Sequence, residues 1–248
     1  MKTLHILLAL FVSAFLTTLA TAQNLTVKGQ TVVRSQYVGF DNGLVYYPDG
    51  VIQGNITLMH KSGIFLDLWY SSGFNTDWST DWDDELDYAL GWNGKVRNLD
   101  LTMSLTYFDN YSVGSLSYND VVKGFVRLGL PTRKINECFS LTPFGSYTGY
   151  FIPDDKTPFE GGNVFALGLD SEVTLASWLK VASSTSIGWD DGCFGVKSGS
   201  IFRHSSMVNV QVSKHFTWNA LEATVYIPIG NRNMKNEVVW GSGLSWSF

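Results

Sequence analysis

Residues 238–248 read Val-Val-Trp-Gly-Ser-Gly-Leu-Ser-Trp-Ser-Phe, and this stretch decides the fold that we predict. Large apolar side chains alternate along it with small or polar ones, which is the spacing of an extended strand with two different faces. The apolar face carries Val238, Trp240, Leu244, Trp246 and Phe248, and the other face carries Glu237, Gly241, Gly243, Ser245 and Ser247. Chain ends usually fray, but the closing strand of a transmembrane β-barrel has to pair with the first strand and present its apolar face to lipid. We therefore predict a closing strand here, and we interpret Trp240, Leu244, Trp246 and Phe248 as a C-terminal signal for the barrel-assembly machinery.

The same alternation recurs along the rest of the chain. Leu99, Leu101, Met103 and Leu105, for example, are separated by Asp100 and other polar residues, a period of two rather than the 3.6 of a helix. The segments that we predict as strands are 25–37, 51–60, 63–72, 84–94, 98–109, 119–130, 137–150, 163–173, 177–189, 199–213, 216–229 and 235–248. The sequence thus predicts an all-β fold, a single closed antiparallel transmembrane β-barrel of about twelve strands, with ten or fourteen as alternatives.

The first residues have the composition of a secretory signal peptide. Lys2 supplies a positive charge, Ile6 to Leu19 is a nearly continuous apolar run, and Ala20-Thr21-Ala22 offers the small residues at which a signal peptidase cleaves. We expect residues 1–22 to be cleaved and residues 23–248 to form an outer-membrane β-barrel domain in a Gram-negative bacterium.

The composition also favours a barrel that faces lipid. Charged residues are 16% of the chain, against about 25% in typical soluble domains, while aromatic residues reach 15%. The signal segment contains one lysine and no acidic residue, so the remaining chain carries 16 basic and 22 acidic residues. That acidic balance argues against nucleic acid as a partner. After the signal segment no run of about 18 apolar residues occurs, which excludes helical membrane spans.

The connections between the predicted strands alternate between short turns and longer polar stretches, as expected for periplasmic turns and extracellular loops. Aromatic residues lie near the strand ends, where we expect two interfacial girdles. We assign Tyr70, Tyr107, Tyr111, Tyr150 and Trp189 to the outer girdle, and Trp92, Trp178, Trp218, Trp246 and Phe248 to the inner one. Cys138 and Cys193 fall at opposite ends of the predicted barrel, so we predict that they form no disulfide.

The first half of the barrel resembles the TorF-like porin family of outer-membrane β-barrels. The residues that carry the resemblance are Ser35-Gln36-Tyr37-Val38, Ile52-Gln53-Gly54, His60 to Trp69, Glu85 to Trp92, Asp100, Tyr107 and Phe108. The chain departs from the family pattern at Gly39-Phe40, where the family has an arginine-glycine pair. The resemblance covers about 100 residues, and it implies a barrel, an outer-membrane location and a pore-like role.

The polar faces of the predicted strands carry charges that we expect to point into the lumen. These residues are Asp67, Glu85, Asp87, Asp100, Lys123, Arg127, Glu172, Lys180, Arg203 and Glu222. In a water-filled pore they would set a transverse field that selects solutes. In a narrow lumen they would instead neutralise one another as ion pairs, and we expect this for most of them.

One sequence feature suggests catalysis. His204 and Ser206 share a strand face that points toward lipid, and outer-membrane lipid hydrolases place such a His-x-Ser pair on the outside of a barrel. A working site also needs a group that orients the imidazole, and neither Asn209 nor Asn219 is well placed for that. Because motifs for redox, phosphate or metal chemistry are absent from the sequence, we expect no catalytic residue, no metal ligand and no cofactor.

These observations predict a small porin-like passive channel for hydrophilic solutes rather than an enzyme. The partners would be outer-membrane lipids, the barrel-assembly machinery during insertion and small hydrophilic solutes. Three alternatives stay open: a structural or adhesive barrel without a conducting pore, a lipid hydrolase that uses the His-x-Ser pair, and a soluble exported β-domain.

Overall fold

The computed structural model describes residues 24–74, 85–110, 120–152, 160–230 and 232–248. The predicted signal segment therefore lies outside the described residues. Within them, no helix is long and apolar enough to cross a membrane.

The described residues form fifteen strands and one short 3-10 turn at Cys193–Gly195. The strands are β1 (Leu25–Arg34), β2 (Tyr37–Val38), β3 (Val45–Tyr47), β4 (Val51–His60), β5 (Ile64–Gly73), β6 (Glu85–Val96), β7 (Leu99–Asn110), β8 (Val121–Gly129), β9 (Arg133–Lys134), β10 (Phe139–Phe151), β11 (Gly162–Ala176), β12 (Leu179–Asp190), β13 (Gly199–Gln211), β14 (Phe216–Ile229) and β15 (Glu237–Ser247). All except β2, β3 and β9 are long, and each long strand coincides with one predicted strand to within a few residues.

The twelve long strands close into one antiparallel barrel. Their order around the barrel is β1-β4-β5-β6-β7-β8-β10-β11-β12-β13-β14-β15. The sheet closes because β1 pairs with β15, from Lys28 opposite Ser247 to Arg34 opposite Gly241. The prediction of a single closed antiparallel β-barrel of about twelve strands is confirmed.

Side chains alternate between an apolar outside and a polar inside. Leu90, Leu105 and Leu167 point outward and are 57%, 59% and 71% exposed. Glu222, on the other face of its strand, lies in the lumen, where its side chain is 12% exposed. A soluble β-domain would bury its leucines and expose its carboxylates, so that alternative is wrong.

The two ends of the barrel differ in their connections. One end, which we call the turn end, carries the short links 61–63, 97–98, 177–178 and 212–215, the link 130–138, and both ends of the described chain. At the other end, which we call the loop end, the described connecting residues are 35–50, 74, 120, 152, 160–161, 191–198, 230 and 232–236. Connections at the loop end are seven residues or longer and those at the turn end are two to four residues long, except for the nine-residue link 130–138, which departs from the predicted alternation of short and long connections.

Two details concern the predicted aromatic girdles and cysteines. Tyr150 does not belong to a girdle: it occupies a lumen-facing position of β10 and is 7% exposed, because the alternation along that strand turns it inward. Tyr111 lies outside the described residues.

Cys138 and Cys193 are both free, the first exposed and the second buried.

Candidate functional site in the lumen

The connection between β1 and β4, residues 35–50, folds back into the barrel, and we call it the lumen loop. Its strands β2 and β3 form a small antiparallel hairpin. The turn of this hairpin is stabilised locally: the Leu44 amide donates a hydrogen bond to Asn42 Oδ1 at 3.0 Å, and Gly43 has a φ of 71°, which favours glycine. Local turn chemistry therefore lets the loop reverse direction inside the lumen.

The lumen loop contacts opposite walls of the barrel. Tyr37 Oη donates to Glu85 Oε2 on β6 at 2.6 Å. The guanidinium carbon of Arg203 on β13 lies 3.4 Å from the centre of the Phe40 ring, a cation–π contact. Because β6 and β13 are six strands apart in a ring of twelve, the loop crosses the whole lumen.

A partly buried ion pair holds the tip of the lumen loop. Lys123 Nζ on β8 lies 3.2 Å from Asp41 Oδ2, and Tyr150 Oη on β10 donates to the same oxygen at 2.8 Å. Burial raises the pKa of Asp41, but the Lys123 ammonium and the hydrogen bond from Tyr150 outweigh that effect and hold the pKa below its usual value. The carboxylate is thus charged at neutral pH and fixes the loop to two neighbouring strands.

Apolar side chains pack against the lumen loop at the loop end. Val38 and Val45 pack with Ile201, Tyr226 and Val239 on one side. On the other side Leu44 packs against a second cluster, which comprises Val121, Tyr150, Val164, Cys193 and Phe194. The loop-end half of the lumen therefore has a small apolar core, which no sequence periodicity predicted.

Six of the predicted lumen charges line one cavity of about 390 Å³ next to the lumen loop: Asp67, Glu85, Asp87, Lys123, Arg203 and Glu222. Glu85 and Asp87 are buried, at 7% and 8% exposure. Asp67 accepts hydrogen bonds from Asn55 Nδ2 at 2.8 Å and from the Thr57 hydroxyl. Together Asp67, Glu85 and Asp87 form an acidic wall on β5 and β6.

The predicted charges outside this wall take part in ion pairs or in the cation–π contact of Arg203. Glu222 accepts two hydrogen bonds from Arg34 at 2.9 and 3.0 Å, and Arg34 was not among the predicted residues. The further pairs are Arg127–Asp170 at 2.5 Å, Lys180–Glu172 at 2.9 Å and Lys95–Asp100 at 3.3 Å. Lys123 pairs with Asp41, as described above.

Sequence reasoning missed four of these partners: Arg34, Asp41, Lys95 and Asp170. Arg34, Lys95 and Asp170 could have been found, because each continues the lumen-facing alternation of its strand. Asp41 lies in the lumen loop, where no alternation indicates a direction.

The turn-end half of the lumen is lined differently. A cavity of about 460 Å³ there is bordered by short polar or flexible side chains, among them Gln30, Asn55, Thr57 and Ser245. These four side chains are half-buried rather than packed. Space for water therefore remains in this half of the barrel.

The His-x-Ser pair lies on the outer surface of the barrel and has a third partner. Ser206 Oγ is 3.0 Å from His204 Nε2, and Thr185 Oγ1 is 2.8 Å from His204 Nδ1. Ser183 Oγ also contacts Ser206 Oγ at 2.8 Å. The geometry is that of a serine, a base and an orienting hydroxyl. Thr185 was missed because it lies on the adjacent strand, β12.

One group of described residues brings three possible metal-ligand atoms within 4.8 Å of one another: Asp190, Asp191 and Cys193, at the loop end. Asp190 Oδ2 already accepts a hydrogen bond from Arg232 at 2.8 Å, and Asp190 Oδ1 accepts two from backbone amides. Burial raises the pKa of the Cys193 thiol well above its usual range, which disfavours the thiolate that a metal requires. The group is better explained as a structural link between loops.

Comparisons with known proteins establish the fold of the chain. No family model matches the sequence, and no curated protein matches it. Among solved structures, the chain is similar to the KdgM porin in complex with disordered oligogalacturonate, with a TM-score of 0.54 and 9% identity over 90% of this chain and 99% of that one. A second structure of the KdgM porin gives a TM-score of 0.53 over the same shares, again at 9% identity.

An outer-membrane channel from Pseudomonas putida F1 also matches, with a TM-score of 0.49 and 13% identity over 91% of this chain and 96% of that one. At such low identities the likeness to the KdgM porin establishes that this chain has the barrel fold of an outer-membrane porin, and no more.

Proposed function

We propose that the protein is an outer-membrane barrel that acts as a narrow passive channel for small hydrophilic solutes, with the lumen loop as its constriction. The observation that carries the proposal is a polar lumen that one folded loop crosses from wall to wall, with charged side chains beside it. Water-filled lumens lined by charges are how barrels conduct and select solutes. Residues 1–22 would direct export, and Trp240, Leu244, Trp246 and Phe248 would direct assembly into the membrane.

The resemblance to the TorF-like porins and the likeness to the KdgM porin both support a pore-like role. The oligogalacturonate bound to the KdgM porin is not carried over, because it is a polyanion. The cavity beside the lumen loop in this protein is lined by five acidic and three basic side chains, which would disfavour polyanions. The solute is therefore expected to be small and not strongly acidic.

Planar-bilayer recording of the refolded mature protein tests the proposal. Discrete unitary current steps are expected from a sample whose folded state is verified by heat-modifiability on a gel. A folded sample that gives no steps under any applied voltage would contradict the channel and favour a structural or adhesive barrel.

Lipid hydrolysis stays a second candidate because Thr185, His204 and Ser206 form a hydrogen-bonded series on the outer surface. The depth of these three residues in the membrane argues against lipid hydrolysis. Trp189 lies four residues from Thr185 toward the loop end of β12, which places Thr185 about 10 Å further into the apolar belt. Lipid ester groups lie near the boundary of that belt rather than at its middle. Phospholipid turnover by the wild type that disappears in Ser206→Ala would establish this activity.

A further inference from the structure

The charges in the cavity beside the lumen loop do not balance. Two of its five carboxylates have basic partners: Glu222 pairs with Arg34 and Asp41 with Lys123. The other three, which are Asp67, Glu85 and Asp87, are in no ion pair among the described residues. The carboxyl groups that lack a basic partner therefore lie together on the acidic wall of β5 and β6.

Asp87 is the least satisfied member of this wall. Its residue is 8% exposed, and its Oδ1 atom is buried without a hydrogen-bond partner, although it borders the cavity. Glu85 lies on the same face of β6 two residues away, so two buried carboxyl groups are close together. Burying such groups is costly unless a proton or a cation neutralises them.

Aromatic rings complete this part of the cavity. Trp69 on β5 lies opposite Asp87 in the sheet, and its ring centre is 5.7 Å from that of Tyr37 in the lumen loop. Both side chains line the cavity. Carboxylates beside Trp and Tyr rings are a combination that recognises organic cations through charge and cation–π attraction.

An inorganic ion fits this wall less well. Divalent metal ions require several oxygen ligands close together. Among the described residues, the three carboxylates of the wall are not part of any group whose ligand atoms all lie within 4.8 Å. A larger cation with an apolar body could instead contact both the carboxyl groups and the Trp69 and Tyr37 rings that line the cavity.

We propose that Asp67, Glu85 and Asp87, together with Trp69 and Tyr37, form a binding site for the ammonium group of an organic amine. The role of this site in transport rests on the proposed channel function, whereas binding itself does not. The preferred solutes are thus small aliphatic amines, and the channel selects cations over anions.

Calorimetric titration of the folded full-length mature protein in detergent micelles tests binding, with putrescine as the probe at constant ionic strength. The wild type is expected to bind putrescine and not the uncharged 1,4-butanediol. Asp87→Asn is expected to weaken putrescine binding at least tenfold, and Trp69→Leu to weaken it as well. Asp100→Asn is the matched control, because it removes a carboxylate at the turn end that pairs with Lys95 at 3.3 Å and is 44% exposed; it should bind like the wild type.

Three results would overturn the proposal: no binding by folded wild type, equal binding by Asp87→Asn and wild type, or displacement of putrescine by equimolar potassium, which would assign the wall to inorganic cations. In planar bilayers under a potassium chloride gradient, the wild type should prefer cations, and Asp67→Asn/Glu85→Gln/Asp87→Asn should lose that preference. A wild type that binds putrescine but never conducts would contradict the channel while leaving the amine site intact. A wild type that conducts but does not bind putrescine would contradict the amine site and support the channel.

Discussion

In the loop-end half of the lumen, Tyr150 and Tyr226 are buried at 7% and 4% exposure against the lumen loop and its apolar clusters. In the turn-end half, Gln30, Thr57 and Ser245 border a cavity and stay half-buried. The same strands run through both halves with the same alternation. The comparison shows that alternation decides which side chains face the lumen, whereas side-chain size and an inserted loop decide whether the lumen is filled.

Among the changes that we predict, removal of the lumen loop should have the largest effect on the difference in packing between the two halves of the lumen. Arg34 and Val51 are paired neighbours in the sheet, so a short glycine-serine turn in place of Gln36–Asp49 joins the two strands without strain. We expect the single-channel conductance to rise several-fold, because the loop-end half would become as open as the turn-end half. Single-channel recording of this variant beside the wild type measures the change. An unchanged conductance would mean that the loop is not the constriction.

The second largest effect should be a loss of stability when the buried ion pair at the loop end is broken. Arg232 donates to Asp190 at 2.8 Å, and both side chains are fully buried. Arg232→Met leaves a buried carboxylate without its counter-charge and should lower the free energy of unfolding by about 3–5 kcal/mol. Denaturant-induced unfolding in lipid vesicles measures this change in the free energy of unfolding.

The matched control for that variant lies at the turn end. Lys180 pairs with Glu172 at 2.9 Å, but the side chains are 47% and 46% exposed. Lys180→Met should therefore cost less than about 1 kcal/mol. Equal losses in the two variants would mean that the two halves do not differ in packing.

A smaller effect is expected from pH. The pKa of Asp41 is lowered in the folded state, so its ionised form stabilises the docked lumen loop above the ordinary aspartate pKa of about 3.9, and this stabilisation is lost as the pH falls through the lower folded-state pKa. We expect the wild-type conductance to rise below about pH 4. Asp41→Asn should show the raised conductance already at neutral pH. An acid response that survives in Asp41→Asn would assign it to another group.

The smallest effect should come from a charge in the turn-end half. Lys28 borders the open cavity there and is exposed, so water and salt screen its field. Lys28→Met is expected to change the single-channel conductance by less than about twofold. A larger change would place part of the constriction in the turn-end half and so weaken the comparison.

The strands and the direction of their charged side chains could be predicted because β-structure has a strict period of two. Asp67, Glu85 and Asp87 follow that period and border the lumen cavity. The prediction of Tyr150 in the outer girdle is wrong. Its position near a strand end suggested a girdle residue, but the alternation along β10 turns it toward the lumen.

The lumen loop could not be predicted, since its position depends on contacts with residues far away in sequence. Phe40 is held by Arg203 and Asp41 by Lys123, and neither contact leaves a local pattern. Likewise, the orienting role of Thr185 depends on strand register, which single-sequence alternation does not determine.

The contacts of the lumen loop also constrain the order of assembly. Gln36 in the loop donates a hydrogen bond to Glu237, which is 201 residues away in sequence, and Arg34, which directly precedes the loop, donates to Glu222, which is 188 residues away. Such distant partners become available only when the last strands are in place, and contacts of high sequence separation form slowly. We therefore expect the lumen loop to dock only after the barrel has closed, as a late step of folding.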